Sequence, residues 1–318
     1  MIRNTIYMLL ITACVSSSQA QELRLGIVGT DSTHAVEFTR ILNDSNHPKH
    51  IQGARVVVAY RGGNPDLALS HDRIEKLSST LSQELAVPFV SAIADLCPRV
   101  DGILILSVDP GSRFKEFEQA AACGKPIFID KPLDGSMDGA TRLSRLAAAK
   151  HIPWFTASAL RYAIAPSPPP QSIIVWGPGE MGKQSDGYTL DLAWYGIHAI
   201  EAMYGAMGSG VVQVSRTQRI DTDTILCRWR DGRTATLYLQ RPDYAFGALL
   251  FFKESNKPER MDLTPDYSAL LKEIVTFMQS GKSPVMPEDS LEVFHLMQAA
   301  QISLSHHGAW TALNRSTH

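Results

Sequence analysis

Three short stretches of the chain combine residue types that can bind an anion or move a proton. The first reads GIVGTDSTHAVEF over residues 26–38, the second reads IFIDKPL over residues 127–133, and the third reads AWYGIHAIEAMYGAMG over residues 193–208. Each contains a carboxylate close to a lysine or a histidine, the combination on which acid–base chemistry depends. What they can do depends on the strands and helices that hold them.

The first stretch places a glycine turn between an apolar strand and a helix. Gly29 stands at the first position of a G-x-G-x-x-G fingerprint, whereas Asp31 and His34 occupy the second and third glycine positions. Such a turn binds anions through free backbone N–H groups and the helix dipole, which predicts a cofactor-binding set of Gly29, Thr30, Asp31, Ser32, Thr33 and His34. Alternatively, Asp31 caps the helix and His34 is a surface residue of its first turn. We predict no metal site, although Asp31 and His34 are the two residues that can contribute to one.

The second stretch carries Asp130 and Lys131 to the carboxyl end of a strand. A partly desolvated lysine there can donate a proton to a substrate oxygen or take one from it. The alternative is an ordinary salt bridge at the end of a strand.

The third stretch has helical spacing over residues 193–204, and Gly205 is predicted to end the helix. His198 and Glu201 are three residues apart and therefore share a face. His198 can act as an acid or base, or bind a metal, or it can simply pack in a helix interface. Asp191 and Tyr195 are nearby candidates.

The first half of the chain alternates strands and helices. Apolar or β-branched runs predict strands over residues 23–28, 55–60, 102–106, 127–130 and 154–156, with helical spacing between them. Repeated βα units predict an α/β fold with a parallel, doubly wound sheet. Ligands of such sheets bind at the carboxyl ends of the strands, where Asp31, Asp109, Asp130 and Lys131 all lie.

The second half has a different pattern. APSPPP over residues 165–170 cannot continue a helix or a central strand. Strands with antiparallel character follow over residues 210–217, 224–230, 233–239 and 249–252, and Asp231-Gly232 predicts a hairpin. Closing helices are predicted over residues 267–279 and 291–305. We therefore predict a Rossmann-like domain over residues 21–160 and an α+β domain with an open antiparallel sheet over residues 161–318, whose last helix returns to the first domain.

Residues 1–20 predict an exported protein. An apolar run over residues 6–15 precedes the small-residue site Ser18-Gln19-Ala20, which is typical of a secretory signal peptide and too short to span a bilayer. A lipobox-like ITAC alternatively makes Cys14 a lipid anchor. The product is then periplasmic or anchored in a bacterial envelope. Cys97, Cys123 and Cys227 remain, and this odd number without paired spacing predicts buried apolar residues rather than a disulfide or a zinc motif.

Composition narrows the class of partner. A net charge of −2 and 44% hydrophobic residues describe an ordinary globular chain of 318 residues. No basic patch indicates nucleic acid, and no apolar run is long enough for an integral membrane span.

Together these stretches resemble the Gfo/Idh/MocA oxidoreductases over nearly all of the mature chain. A D-K-P strand end precedes a G-x-H-x-x-E helix, ALRYAIAP resembles the interdomain crossing of the family, and residues 267–308 resemble its C-terminal segment. The resemblance implies a Rossmann domain that binds NAD or NADP, a second domain that binds a sugar or cyclitol, and hydride transfer to or from a carbinol carbon. Lys131 would hold or protonate the substrate oxygen, His198 would be a second acid–base group, and Asp130 and Glu201 match acidic positions of the family.

The chain also departs from the family's pattern. Trp194 stands where the family carries an aspartate, and Arg61 ends the second strand, where an acidic residue often binds the ribose of NAD. Arg61 can accept a 2′-phosphate or another anion, or be exposed. The turn over residues 29–34 is similar to a branch with the pattern G-x-D-[ST]-[ST]-H. In this family the open sheet of the second domain often pairs between subunits, so the resemblance implies a homo-oligomer.

Three functions follow as hypotheses. The first is an exported oxidoreductase acting on a carbohydrate or polyol, with its use of NAD or NADP open. The second is a lyase or isomerase, cofactor-independent or metal-assisted, with Asp31, His34, Lys131 and His198 gathered in a cleft. The third is a non-catalytic sugar-binding protein.

Overall fold

Two sheets, one parallel and one mixed, organise the chain in the computed structural model, which describes residues 22–242 and 244–314. The first sheet has the order β3-β2-β1-β4-β5-β6, and all of its pairs are parallel. Its strands are β1 (Leu23–Val28), β2 (Ala54–Tyr60), β3 (Phe89–Val90), β4 (Gly102–Ile105), β5 (Ile127–Asp130) and β6 (Trp154–Ala157). The connecting helices are α1 (Thr33–Asn43), α2 (Ala68–Ser79), α3 (Arg113–Ala120) and α4 (Met137–Lys150).

This sheet confirms the predicted doubly wound fold. Every residue of β4, β5 and β6 is buried, as expected of strands covered by helices on both faces. The strand order reverses between β1 and β4, and the loops that follow these strands diverge there. The resulting crevice lies at the carboxyl ends of the strands, where doubly wound folds bind their ligands.

The second sheet has seven strands in the order β12-β11-β7-β10-β9-β8-β13. They are β7 (Ser172–Pro178), β8 (Val211–Gln218), β9 (Thr222–Trp229), β10 (Thr234–Gln240), β11 (Phe246–Phe251), β12 (Glu259–Leu263) and β13 (Thr311–Ala312). The accompanying helices are α5 (Gly196–Met207), α6 (Tyr267–Ser280) and α7 (Pro287–Ser305).

The sheet is mixed rather than purely antiparallel, because β7 pairs in parallel with β10. The sequence analysis missed β7, which follows the proline-rich segment directly and enters the middle of the sheet. The hairpin at Asp231-Gly232 is confirmed: β9 and β10 are antiparallel, and Gly232 has a φ of 90°.

The prediction that α5 ends at Gly205 is wrong, because the helix continues to Met207. A Cβ at Gly205 would lie 1.9 Å from the carbonyl oxygen of Arg161. Glycine is therefore required here for close packing against the segment that crosses between the domains, and Gly208 follows the helix end instead.

The prediction that no disulfide forms is wrong. Cys97 and Cys123, 26 residues apart, form a disulfide with a Cα–Cα distance of 4.8 Å. Cys97 directly follows one short 3-10 helix, before β4, and Cys123 ends another, after α3. Cysteine spacing alone does not reveal that the two residues are close. Cys227 is free and buried.

Helix α6 joins the C-terminal part of the chain to the first domain. Leu270, Ile274 and Phe277 belong to the same apolar cluster as Phe38 and Phe155. The first turn of α6 is thereby held beside the carboxyl end of the parallel sheet. In the described part of the chain, no helix is long and apolar enough to cross a membrane. The signal segment and Cys14 lie outside the described residues.

Candidate functional site

A cavity of about 270 Å³ opens at the carboxyl end of the parallel sheet, between the two domains. We call it the main cavity. The first domain lines it from the turns after β1, β5 and β6, and the second domain lines it from the start of α5 and the start of α6. Its polar and aromatic wall includes Ser32, Thr33, His34, Asp130, Lys131, Ser158, Trp194, Tyr195, His198 and Tyr267.

The turn after β1 is fixed by close backbone packing. Gly29 has a φ of +87°, and a Cβ there would lie 2.6 Å from the backbone of Ser107. Thr30 is buried, and its backbone N–H donates to the carbonyl of Arg61 at 2.9 Å. Glycine is therefore needed at position 29 because no side chain fits between β1 and the loop after β4.

Ser32, not Asp31, caps helix α1. The Ser32 hydroxyl accepts from the backbone N–H of His34 at 3.1 Å. Asp31 is fully buried, and its Oδ1 accepts from the backbone N–H of Val108 at 3.2 Å. The cavity wall at this turn is thus formed by Ser32, Thr33 and His34, whereas the Asp31 carboxylate faces the protein interior.

Two further carboxylates lie beneath the same turn. Both oxygens of the buried Glu116 lie 2.7 Å from the Ser107 hydroxyl. Burial raises the pKa of Glu116 to about 7, and the charges of Asp31 and Asp109 act in the same direction. Asp109 accepts from the backbone N–H of Gly111 at 2.8 Å and also accepts from a side-chain amide, so it braces the loop after β4.

His34 contacts both the end of β5 and the start of α6. Its Nδ1 lies 2.6 Å from Oδ2 of Asp130, and its Nε2 lies 3.1 Å from the hydroxyl of Tyr267. The ring stacks on Phe38 with a centroid distance of 5.2 Å. Burial alone would raise the pKa of Asp130, but His34 and Lys131 outweigh it and lower the pKa to about 2. Asp130 is therefore a permanent anion at physiological pH.

Lys131 lines the cavity from the turn after β5. Burial lowers its pKa, and the neighbouring Asp130 opposes this effect. Its Nζ lies 5.9 Å from the ring centroid of Trp194. The fully buried Arg113 donates to the backbone carbonyls of Asp130 and Lys131, and these bonds fix the direction in which the strand delivers both side chains.

His198 lines the cavity from α5 in the second domain. Its Nδ1 lies 2.8 Å from the hydroxyl of Ser158, which also accepts from the backbone N–H of Leu160 at 3.2 Å. Burial lowers the pKa of His198 well below 6.5, and the charge of Lys131 adds to this effect. His198 is therefore neutral at physiological pH, and Ser158 fixes its ring so that Nε2 is the nitrogen left for a ligand.

Six predicted site residues lie outside the wall of the main cavity: Gly29, Thr30, Asp31, Arg61, Asp109 and Glu201. Glu201 accepts from Nε of Arg161 at 2.6 Å, and both side chains are nearly buried. This ion pair ties α5 to the interdomain crossing. Arg61 is half-exposed and forms an ion pair with Glu75.

The candidate Asp191 is likewise engaged elsewhere. It forms an ion pair with the fully buried Arg216 at 2.8 Å.

The sequence analysis missed Ser158, Tyr267 and Arg73. Ser158 directly follows β6, so the rule that places ligands at the carboxyl ends of parallel strands could have found it. Tyr267 is 233 residues from His34 in the chain, and no local sequence pattern predicts their contact. Arg73 lines the cavity from α2. Among the described residues, no three His, Cys, Asp or Glu side chains are grouped so that they could hold a metal ion.

The fold is similar to those of solved oxidoreductases. Scyllo-inositol dehydrogenase from Lactobacillus casei has a TM-score of 0.68 and 15% identity, covering 92% of this chain and 99% of that one. Myo-inositol 2-dehydrogenase from Lactobacillus plantarum has a TM-score of 0.69 and 17% identity, covering 92% and 100%. An oxidoreductase from Agrobacterium radiobacter, solved with NAD+, L-tartaric acid and magnesium, has a TM-score of 0.68 and 17% identity, covering 93% and 100%.

At these identities the likeness establishes the fold alone. No protein-family model matches the chain, and no curated protein matches it significantly.

Proposed function

We propose that this protein is a Gfo/Idh/MocA-type oxidoreductase that acts on a carbohydrate or polyol with NAD or NADP. The observation that carries the proposal is the presence of Lys131 and His198 in one cavity at the carboxyl end of a doubly wound sheet. The same fold is found in two inositol dehydrogenases and in an oxidoreductase solved with NAD+.

The turn after β1 fits the phosphate groups of such a cofactor. Ser32 and Thr33 at the start of α1 line the cavity together with Arg73 of α2. Two hydroxyls, the helix dipole and a guanidinium suit an anion, and the Asp31 carboxylate is turned inward to Val108. We assign Ser32, Thr33 and Arg73 to the phosphates. When bound, the nicotinamide of the cofactor accepts a hydride from a substrate carbon or returns one to it.

The residues of this chain supply the proton chemistry and the orientation. Because burial lowers the pKa of Lys131, its neutral amine forms at lower pH than that of an exposed lysine. It can then take the proton of a substrate hydroxyl during oxidation and return it during reduction. Neutral His198 holds a hydroxyl through Nε2. The Asp130 anion, paired with His34, keeps a negative charge next to Lys131 and favours its protonated form after proton transfer.

Export is a second part of the proposal. The pattern of residues 1–20 supports it, and so does the Cys97–Cys123 disulfide, since disulfides persist mainly in oxidising compartments. Cell fractionation, with N-terminal sequencing of the mature protein, tests it. A start at Gln21 indicates a soluble periplasmic form, a blocked start at Cys14 indicates a lipid-anchored form, and an intact N-terminus in the cytoplasm contradicts export.

Self-association is a third part. The open face of the second sheet exposes large apolar side chains, with Leu226 and Tyr238 each 39% exposed. A second copy of the chain would cover this face. Light scattering coupled to gel filtration should give a mass of at least two chains, and Leu226→Lys should lower it. A wild-type mass of one chain contradicts the proposal.

Cofactor binding and turnover test the main proposal. The mature protein should show a thermal shift with NAD+ or NADP+ and should reduce it in the presence of an inositol or an aldose from a panel. Arg73→Ala should weaken cofactor binding, whereas Arg260→Ala, an exposed arginine of β12, should not. Conversion of a sugar without any nicotinamide cofactor would instead indicate a lyase or isomerase. Sugar binding without conversion would indicate a binding protein.

A further inference from the structure

A second cavity of about 170 Å³ adjoins the main cavity, and we call it the side cavity. The two share four wall residues: Leu69, Val108, Tyr188 and Trp194. Leu67 and Met181 line the side cavity but not the main one. The side cavity therefore continues the site beyond the region that Lys131 and His198 can reach.

The side cavity is walled mostly by apolar side chains. Leucine, valine, methionine and tryptophan form most of its surface, and the exposed Lys183 and the half-buried Asp186 add opposite charges. An apolar cavity of about 150 Å³ is large enough to bind benzene. A volume of about 170 Å³ therefore admits one aromatic ring or a short branched alkyl group.

Tyr188 marks the junction of the two cavities. It is 4% exposed, and its hydroxyl has no hydrogen-bond partner among the described residues although the oxygen is buried. Its ring stands edge-on to Trp194 with a centroid distance of 5.8 Å. Because the hydroxyl oxygen is buried, the ring of Tyr188 is the part of this side chain that separates the two cavities.

We propose that the side cavity is an aglycone site, so that the substrate is a glycoside with an aryl or similarly sized apolar aglycone rather than a free sugar or cyclitol. The sugar ring lies in the main cavity beside Lys131 and His198. The aglycone packs against Leu67, Met181 and Trp194. The inference rests on the proposed function only in placing the sugar in the main cavity.

The adenine ring of a dinucleotide is the competing occupant. A doubly wound fold receives the adenosine at the end of its second strand, which here is followed by Arg61, Gly62 and Gly63. None of these three residues lines the side cavity, and most of its wall comes from the second domain. The wall composition therefore favours the substrate over the cofactor.

Matched methyl and phenyl glycosides test the inference. Methyl and phenyl β-D-glucopyranoside, β-D-galactopyranoside and α-D-mannopyranoside are titrated into the full mature chain without cofactor, by calorimetry. For the sugar that binds, the phenyl glycoside should bind at least tenfold more tightly than the methyl glycoside, since even one methylene in an apolar pocket is worth roughly tenfold. Equal affinities, or no binding of any pair, would overturn the inference.

A variant that fills the side cavity sharpens the test. Leu67→Trp should reduce the phenyl advantage to less than twofold and leave the affinity of the methyl glycoside unchanged. Met181→Trp is the second variant, should the first fail to fold. Ile220→Trp, at a position that is 98% exposed, is the control and should keep the full advantage. A phenyl advantage that survives both cavity-filling variants overturns the inference.

Titration with ADP-ribose separates the competing occupant. If Leu67→Trp weakens ADP-ribose and leaves the phenyl advantage intact, the side cavity holds adenine and the inference is wrong. Turnover separates the inference from the proposed function. If the phenyl glycoside binds more tightly but no cofactor is reduced, the aglycone site is supported and the oxidoreductase activity is contradicted. If methyl and phenyl glycosides are oxidised with equal KM, the oxidoreductase activity is supported and the aglycone site is contradicted.

Discussion

Each domain buries a cluster of charged side chains, and the two clusters differ in what they face. In the second domain, Arg216 is fully buried between Asp223 at 2.7 Å and Asp191 at 2.8 Å, and Arg241 closes the cluster at 2.6 Å from Asp223. In the first domain, Asp130 pairs with His34 at 2.6 Å, and the neighbouring Lys131 lines the main cavity. Among the described residues, no carboxylate forms an ion pair with Lys131.

The difference shows that burial of charge does not by itself mark a functional site. The Arg216 cluster pairs two arginines with two aspartates, so its charges are balanced within the protein. These ion pairs hold β8, β9 and the segment before α5 together. Lys131, by contrast, has no carboxylate partner among the described residues on the side that faces the main cavity, and burial lowers its pKa. We therefore expect a ligand to pair with Lys131, whereas Arg216 already pairs with two carboxylates.

Removing the lysine should have the largest effect on turnover. Lys131→Met should lower kcat by about a hundredfold or more, since a positioned acid–base group contributes roughly 10²–10⁴-fold. Stability should not fall, because a desolvated charge is replaced by an apolar chain of similar length. Steady-state kinetics and thermal unfolding measure both, with Lys150→Met, at an exposed position of α4, as the control. Full activity in Lys131→Met would remove the lysine from the mechanism.

Disrupting the Arg216 cluster should lower stability and leave turnover nearly unchanged. Arg216→Met should cost about 3–5 kcal/mol of unfolding free energy, because it leaves Asp223 buried with one partner fewer. The folded fraction should retain kcat within twofold. Arg260→Met, which breaks an exposed pair with Asp262, should cost less than about 0.5 kcal/mol. The comparison fails if the Arg216 variant unfolds no more easily than the Arg260 variant in urea.

Glu116 provides a test by pH. Its pKa is raised from 4.5 to about 7, so the native state favours the protonated form. This contribution is fully present below pH 4.5 and is lost as the pH rises through about 7, with a total of up to about 3 kcal/mol. The unfolding free energy should therefore fall more between pH 5 and pH 8 in the wild type than in Glu116→Gln. Glu118→Gln, at an exposed position of the same helix, should behave like the wild type, and identical pH slopes in all three proteins would contradict the assignment.

The smallest effect is expected at Ser158. Its hydroxyl holds the His198 ring at 2.8 Å, and one such bond is worth about 1 kcal/mol. Ser158→Ala should therefore lower kcat by roughly fivefold without a large change in KM. Ser185→Ala, at an exposed position, is the matched control. A change in KM alone would indicate that Ser158 binds substrate rather than positioning the histidine.

Local patterns predicted the fold and three of the residues that line the candidate site. The βα alternation placed Asp130 and Lys131 at the end of β5, and helical spacing placed His198 on α5. These features depend on residues close together in the chain, so periodicity and strand ends reveal them.

Long-range packing decided what the sequence could not show. Spacing gives no sign that Ser158 meets His198, that Tyr267 meets His34, or that Cys97 meets Cys123. The orientation of Asp31 also depends on the loop after β4, which donates the Val108 N–H to it. Helical spacing grouped His198 with Glu201, but the interdomain crossing supplies Arg161 and removes Glu201 from the cavity.

The stoichiometry of hydrogen transfer tests the central claim most directly. Wild-type protein is incubated with NAD+ or NADP+ and a substrate that binds, and mass spectrometry follows the products. The account predicts an oxidised sugar two hydrogens lighter than the substrate, formed in equal amount to the reduced cofactor, and formation of both products slowed by about a hundredfold or more in Lys131→Met. Conversion of the sugar without an equal amount of reduced cofactor would contradict it.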